Sequence, residues 1–474
     1  MTGGMNFWDV GVWELVFTLA VLLGAMLLAN AIRRQFRFVR KSLVPSSVLG
    51  GFIVLIVDWA FRAITGHSIF NVSVLETLTY HGLGLGFVAL AWRKSRQAQG
   101  KKARRDVFNA STVVVGSYLL QAVVGLSITI TLFYLIGSYA ASGVILPMGY
   151  GQGPGQAYNW GNIFQNYTEY PAFKNGASFG LTVSAMGFIS ASVGGIIYLN
   201  RMRRAGDKRA MNENADEVEN LSAQMVTGKD EIPLSESMDK LTVQLALVFV
   251  TYAITGGAMF AITVLLDAAG GFFVNTVKPL IWGFNFLVGT AVAVLLRTIV
   301  GKLKAKGVVK REYANDFMLT RISGAMFDLM VTSSIAAIEL SAFRHPEFVL
   351  PLLLICVIGA IATYWYDLLL SRHLFPEYSD EAFLSLYGML TGTASTGVIL
   401  LREIDPLFET PASHNLVYQT LWSIILGAPM LLAMGFVARS MQMTFIVFAI
   451  LALLFALVLI FQLKDKIFKS RAVK

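Results

Sequence analysis

Residues 146–161 read LPMGYGQGPGQAYNWG, and residues 386–401 read LYGMLTGTASTGVILL. Both lie where the surrounding hydropathy calls for a membrane span, yet both are built from glycine and small polar residues. Backbone that is not helical at membrane depth persists only where protein buries it or water reaches it. Two such interruptions, at matching places in two halves of a chain, point to the binding site of a transporter. One alone would be explained as well by close helix–helix packing. The pairing favours a site, since the first stretch also carries Pro154 and the amides Gln152, Gln156 and Asn159.

The rest of the chain fits that reading. Of 474 residues, 55% are hydrophobic and only 14% charged, the balance of a polytopic membrane protein. The net charge of +9 comes from basic residues clustered in short loops beside apolar runs. It therefore reports topology and not a nucleic-acid partner. Cys356 is the single cysteine. It lies in an apolar run and reads as a small packing residue. The opening MTGGMNFWDV lacks the basic region of a cleaved signal peptide, so the first span is expected to stay in the membrane. Trp8, Trp13, Trp160 and Tyr170 read as interface anchors.

Spans are expected near 12–31, 48–64, 72–92, 107–136, 177–199, 241–266, 280–300, 317–340, 348–370, 416–437 and 444–463, with re-entrant hairpins at 138–160 and 382–401. Basic clusters follow the first, third, fifth and seventh spans (Arg33 to Lys41, Arg93 to Arg105, Arg201 to Arg209, Lys302 to Arg311), and a fifth forms the tail. All five fall on one side, which the positive-inside rule makes cytoplasmic. The N-terminus is then outside and the C-terminus inside. Each half holds an odd number of spans, so the second half is inverted relative to the first. The expected fold is all-α and polytopic: two inverted repeats of five spans, each with a re-entrant hairpin, and one extra C-terminal span. The units are 1–200, a polar cytoplasmic linker at 201–240, 241–440, and 441–474 with its basic tail.

The hairpins carry usable chemistry. In the first, Gly151, Gly153 and Gly155 allow close backbone approach, Pro154 breaks the helix, and Gln152, Gln156 and Asn159 supply amides. In the second, Thr391, Thr393, Ser395 and Thr396 surround Gly392 with hydroxyls. Oxygen ligands suit sodium, and the exposed N-terminus of a half-helix suits a carboxylate. Two readings stand for Arg402: it forks onto a substrate carboxylate, or it marks the hairpin's end and pairs with Glu403. Asp328 is the candidate cation ligand, joined by Ser333 and Ser334; the alternative is a buried ion pair. Asp58, Glu76, Glu339 and Asp367 read as structural pairs or snorkelling groups, and His81 as a satisfied polar contact.

The pattern G-x-S-x-G occurs at 176–180. It opens a span where a nucleophile elbow needs a strand-to-helix turn and a histidine partner. Small residues for packing explain it better than an intramembrane hydrolase, so no enzyme is expected. No cofactor beyond a coupling sodium ion is expected. A channel would need a continuous polar pore.

The chain resembles the bacterial sodium/glutamate symporter family. The resemblance rests on LVPSSVLGG at 43–51, the first glycine-rich hairpin, the following ASFGLTVSAMGFISASVGGIIYLNR, and the second hairpin over 378–399. The family's usual Gly-Gly-His-Gly-Thr-Gly texture is replaced here by GYGQGPG at 149–155, without the histidine. The resemblance implies uptake of glutamate or a similar small carboxylate, driven by sodium, across a bacterial inner membrane. It also implies a homodimer whose hairpin-bearing parts move against a fixed scaffold in an elevator-type cycle. A 2-hydroxycarboxylate or other organic-anion symporter shares this plan.

Overall fold

The computed structural model describes residues 10–93, 100–166, 173–211, 238–271, 273–406 and 408–471. Most of the polar linker, together with Trp8 and Tyr170, lies outside them. Every regular element among the described residues is helical. Before the linker these are α1 (Val10–Gln35), α2 (Arg37–Lys41), α3 (Ser46–Thr65), α4 (Val72–Trp92), α5 (Lys101–Ile136), α6 (Ile145–Gly151), α7 (Pro154–Gln165) and α8 (Gly176–Arg204). After it come α9 (Lys240–Ala269), α10 (Lys278–Gly283), α11 (Asn285–Ala305), α12 (Asp316–Ala336), α13 (Pro346–Leu374), α14 (Ser379–Thr391), α15 (Ala394–Arg402), α16 (Pro411–Met434) and α17 (Met441–Arg471).

Local chemistry sets many of these boundaries. Apolar runs must be helical in lipid because only a helix pairs its own backbone groups. Pro154, Pro346 and Pro411 begin helices where their missing N–H costs nothing. Gly66 and Gly137 close α3 and α5 in the left-handed conformation. Asp239 accepts from the N–H groups of Leu241 and Thr242 at the start of α9.

Nine helices among the described residues are long and apolar enough to cross a membrane; the pair 411–420 and 422–434, bent by 47°, brings the number to ten. The 21-residue α12 is not among them. It carries Asp316, Arg321 and Asp328. The span expected at 280–300 is divided, because α10 ends at Gly283 and α11 starts at Asn285.

The helices assemble into two lobes. In one, α4 packs on α12 and α11, α3 on α1 and α12, and α9 on α11. In the other, α5 is central: α13, α16, α17 and α6 pack on it, and α14 packs on α13, α15 and α8. Each lobe draws on both sides of the linker. The first lobe takes α1, α3 and α4 with α9, α11 and α12; its companion takes α5 to α8 with α13 to α16. The lobes meet where α7 and α8 touch α4, α10 and α12. Leu181, Ala185 and Phe188 of α8 complete the core between α1, α3, α4 and α12.

Both glycine-rich stretches are a helix, a short break and a second helix. The first runs on to Gln165, five residues past the expected limit of 160. Trp160 is corrected by the fold. It is 1% exposed and packs on Phe164 and Phe284, so it is a core residue and not an interface anchor. Cys356 is free and buried as expected. Gly388 and Gly397 let the two arms of the second stretch cross closely: a Cβ on Gly388 would meet the Gly397 Cα at 2.8 Å.

Candidate functional site

The two breaks abut. Gly153 lies in the left-handed region at φ +85°, a conformation that favours glycine, and a Cβ there would stand 3.5 Å from Thr393 Cγ2. Gly153 and Thr393 are the N-cap residues of α7 and α15, so two half-helix N-termini converge. The first intrahelical bonds are Ala157 N–H to Gly153 O and Gly397 N–H to Thr393 O. The N–H groups of Gly155, Gln156, Ala394, Ser395 and Thr396 therefore have no intrahelical acceptor. Their aligned dipoles add partial positive charge at the same place. The opposing ends, α6 and α14, bring C-terminal carbonyls. One junction thus offers donors for an anion and acceptors for a cation.

Helix α5 holds both carbonyl ends. Tyr118 donates to Gly151 O at 2.9 Å, and Gln121 donates to Leu390 O at 2.9 Å. These residues are three apart and share one face, so a single helix caps both half-helices. The Tyr118 ring lies against Gly151, where a Cβ would come within 2.7 Å of Cδ1. Gly187 of α8 is wedged between the two units, since its Cβ would strike Thr391 O and lie 3.0 Å from Tyr150 Cδ1. Tyr118, Gln121 and Gly187 escape sequence reading because nothing in their own segments marks them. An aromatic, an amide and a glycine in apolar helices have meaning only once their neighbours are known.

The expected site residues divide. Gly151, Gln152, Gly153, Gly155, Gly392, Thr393, Ser395 and Thr396 lie at or next to the breaks. Thr393 and Thr396 hydroxyls are 3.3 Å apart, Ser395 is exposed, and Thr391 donates to Tyr387 O in its own helix. Gln156 and Asn159 are buried and both donate to Gly283 O, at 3.1 and 2.8 Å. They tie α7 to the gap between α10 and α11 in the other lobe. Arg402 is exposed at the far end of α15, about 12 Å along the helix from the break at 1.5 Å per residue.

Asp328, Ser333 and Ser334 are not brought together. Asp328 is exposed and hydrogen-bonds Ser47 in the first turn of α3. Ser333 is buried against Thr79, 3.1 Å between hydroxyls, and Ser334 donates to Val331 O. At about 100° per residue, Ser333 and Ser334 lie roughly 140° and 120° around the helix from Asp328, which is why the group splits. Asp58 is structural, accepting from Ser68 and Ile69 N–H, and Glu339 pairs with Arg62 at 3.3 Å. His81 sits 2.9 Å from the Tyr252 hydroxyl. Asp367, read as a structural pair or a snorkelling group, does not snorkel: it is fully buried and its carboxylate accepts from Ser117. Ser178 of the G-x-S-x-G pattern accepts from Glu339 N–H inside a helix.

Two features frame the junction. A cavity of about 580 Å³ lies between the lobes, lined by Glu76, Tyr80 and His81 of α4, Tyr158 and Asn162 of α7 and Trp282 of α10. Outside the membrane-spanning segments, Arg209 reaches Asp207 and Asp380 at 2.6 and 2.8 Å and Glu381 at 2.6 Å. The hydrogen bond from Arg209 holds the Asp207 carboxyl below its ordinary range. Asp380 and Glu381 begin α14, where acidic groups also suit the helix dipole.

The family model described as sodium/glutamate symporter matches residues 13–399. No curated protein matches the chain. The chain belongs to the sodium/glutamate symporter family, whose members are transporters and not enzymes, with glutamate and sodium as their substrates.

Proposed function

We propose that this member of the sodium/glutamate symporter family carries glutamate, or a close small carboxylate, inward with sodium at the junction of its two helix breaks. The observation that carries this is the contact between Gly153 and Thr393. It sets two half-helix N-termini side by side, where a carboxylate gains several charge-oriented N–H donors. The residues assigned to substrate are Gly151, Gln152, Gly153, Gly155, Thr391, Gly392, Thr393, Ser395 and Thr396. Gln156 and Asn159 act at the lobe boundary. Sodium is the coupling ion.

An elevator cycle is the mechanism that suits the two lobes. Both breaks belong to the lobe centred on α5, so a displacement of that lobe moves the whole site past the other. The bonds from Gln156 and Asn159 to Gly283 O, and the cavity beside them, lie on the boundary that would slide. Equivalent helices from the two sides of the linker in each lobe support inverted repeats with re-entrant hairpins. Eleven spans, counting α12, put the N-terminus outside and the C-terminus in the cytoplasm, in a bacterial inner membrane. A homodimer joined through the non-moving lobe is the expected assembly.

The test is uptake into proteoliposomes holding the purified protein, with an inward sodium gradient against a potassium control. Glutamate uptake that requires sodium is the expected result, and malate uptake without glutamate uptake would reassign the substrate to 2-hydroxycarboxylates. Thr393→Ala should lower uptake severalfold while protein yield stays unchanged. Normal transport in that variant would remove the break from the site.

A further inference from the structure

Leu43 sits between α2 and α3 at φ +56°, in the left-handed region that a bulky side chain resists. Two other non-glycine residues with positive φ are described, Asn175 and Phe408. Asparagine tolerates that conformation, and Phe408 is 37% exposed. Leu43 is 5% exposed, so a strained backbone and a buried apolar side chain coincide there alone among the described residues. Its burial is in the companion lobe. Leu43 belongs to the core that Tyr198 and Met202 of α8, Phe383 and Tyr387 of α14 and Leu400 of α15 build. The next residue, Val44, packs instead on the core between α1, α3, α4 and α12, with Leu22, Val48 and Ile335.

The chain around Leu43 is tied to the first lobe. Arg33 of α1 donates to Val44 O at 3.3 Å, and Thr332 of α12 donates to Ser47 O at 2.9 Å. Asp328 of α12 hydrogen-bonds the Ser47 side chain, and Pro45 fixes the entry to α3 at φ −58°. Leu43 is thus a projection of one lobe seated in the other. A glycine would relieve the backbone and leave the companion core open. Burial of the leucine side chain offsets the strain only while the lobes keep this relation. Arg33 to Lys41 precede the contact, and Arg201 to Arg204 end the helix that receives it, so the positive-inside rule puts it at the cytoplasmic rim. Beyond the far end of α3 the same boundary is hollow: Ser73 and Glu76 line the cavity of about 580 Å³ there.

We propose that Leu43 is the cytoplasmic latch of the transport cycle, a residue of the first lobe whose side chain must leave the companion core before substrate is released inward. This rests on the transport reading above and adds to it a residue that decides which face is sealed. With Leu43 seated, apolar contact closes the boundary on the cytoplasmic side, and the cavity leaves it open on the outer side. When the companion lobe moves towards the cytoplasm, Tyr198, Met202 and Leu400 travel past a fixed Leu43. The side chain then loses its apolar surroundings, nothing offsets the left-handed backbone, and the segment relaxes. Strain held in place by its surroundings is a mark of switch segments. Unseating loses burial and relieves strain, and these opposed terms keep the seated and unseated states close in free energy.

The experiment uses the full-length protein in inside-out membrane vesicles, with Cys356→Ala removing the native thiol. Leu43→Cys and Val44→Cys are labelled separately with a membrane-impermeant maleimide, in choline, in sodium, and in sodium with glutamate or with malate. A buried thiol reacts only from the population in which it is exposed. Leu43→Cys should change its labelling rate about tenfold when the transported carboxylate joins sodium, while Val44→Cys stays within about twofold. A second arm needs no substrate. Leu384 of α14 is 0% exposed in the same core. Leu384→Cys should label about tenfold faster when Leu43→Gly removes the side chain and the strain together. Where Leu43→Gly yields no folded protein, Leu43→Ala carries that arm. A rate at position 43 that ignores a carboxylate the protein carries overturns the latch, as does a matching response at position 44. Leu384→Cys labelling unchanged by loss of the Leu43 side chain overturns it too, and that arm decides alone if neither carboxylate is taken up. A response at position 43 to malate and not to glutamate would reassign the substrate and leave the latch standing.

Discussion

Around the first break, the residues after Gly153 are buried and bound across the lobe boundary, with Gln156 and Asn159 both donating to Gly283 O. Around the second, Ala394 and Ser395 are exposed, and the Thr393 and Thr396 hydroxyls face each other inside one lobe. The first break is bonded to the other lobe; among the described residues the second is bonded within its own lobe. In the proposed elevator cycle the bonds at Gly283 O would be exchanged, whereas the second break would travel with its contacts intact. Both share one support, since Tyr118 and Gln121 of α5 cap their carbonyl ends.

The comparison can be broken most forcefully at Gly187. Gly187→Leu forces a side chain between Thr391 O and the Tyr150 ring. Overpacking of this kind costs about 1–3 kcal/mol or more, and separation of the breaks should abolish sodium-driven glutamate uptake with membrane insertion preserved. Retained uptake would mean the breaks need not touch.

Next come the two caps. Gln121→Ala leaves the buried Leu390 carbonyl without its donor and should cost about 1–3 kcal/mol of stability, read as a fall in melting temperature. Tyr118→Phe removes only a hydroxyl from Gly151 O and should cost about 1 kcal/mol. The KM for glutamate in Tyr118→Phe, against that in Gln121→Ala, shows which break holds substrate more firmly; equal shifts would support a shared site.

The double variant Gln156→Ala, Asn159→Ala sharpens the distinction between fastened and free. It should change maximal uptake rate more than KM, because the bonds lie on the boundary and not at the break. A change confined to KM would return both amides to the substrate. The smallest effect is expected at Arg402. Exposed at the far end of α15, Arg402→Ala should leave KM within about twofold, less than the cost of one weak surface contact. A tenfold rise would show the second break closing over its own end.

Much of the fold was legible because its signals are local. The spans expected at 72–92 and 177–199 follow from run length and hydropathy, and Pro154 with Gly153 marks the first break wherever the helix is packed. The glycines and hydroxyls placed at the breaks were legible for the same reason. The sequence could not show that Asp328 stands apart from Ser333 and Ser334, because helical angle and not sequence distance decides which side chains share a face. Trp160 looked interfacial from its type alone and proved to be core.

The sequence by itself determined which segments are helices and where two of them are interrupted, since each residue's own apolarity, missing N–H or missing Cβ is enough for that. Only the tertiary structure decided that α5 caps both half-helices, that Gln156 and Asn159 bind the opposite lobe, and that Asp367 is buried against serine. Those facts depend on which helix faces which and at what rotation, and a helix turns each side chain by 100° from the last. A change of neighbour alters the chemistry of every one of these residues while leaving the sequence as it was.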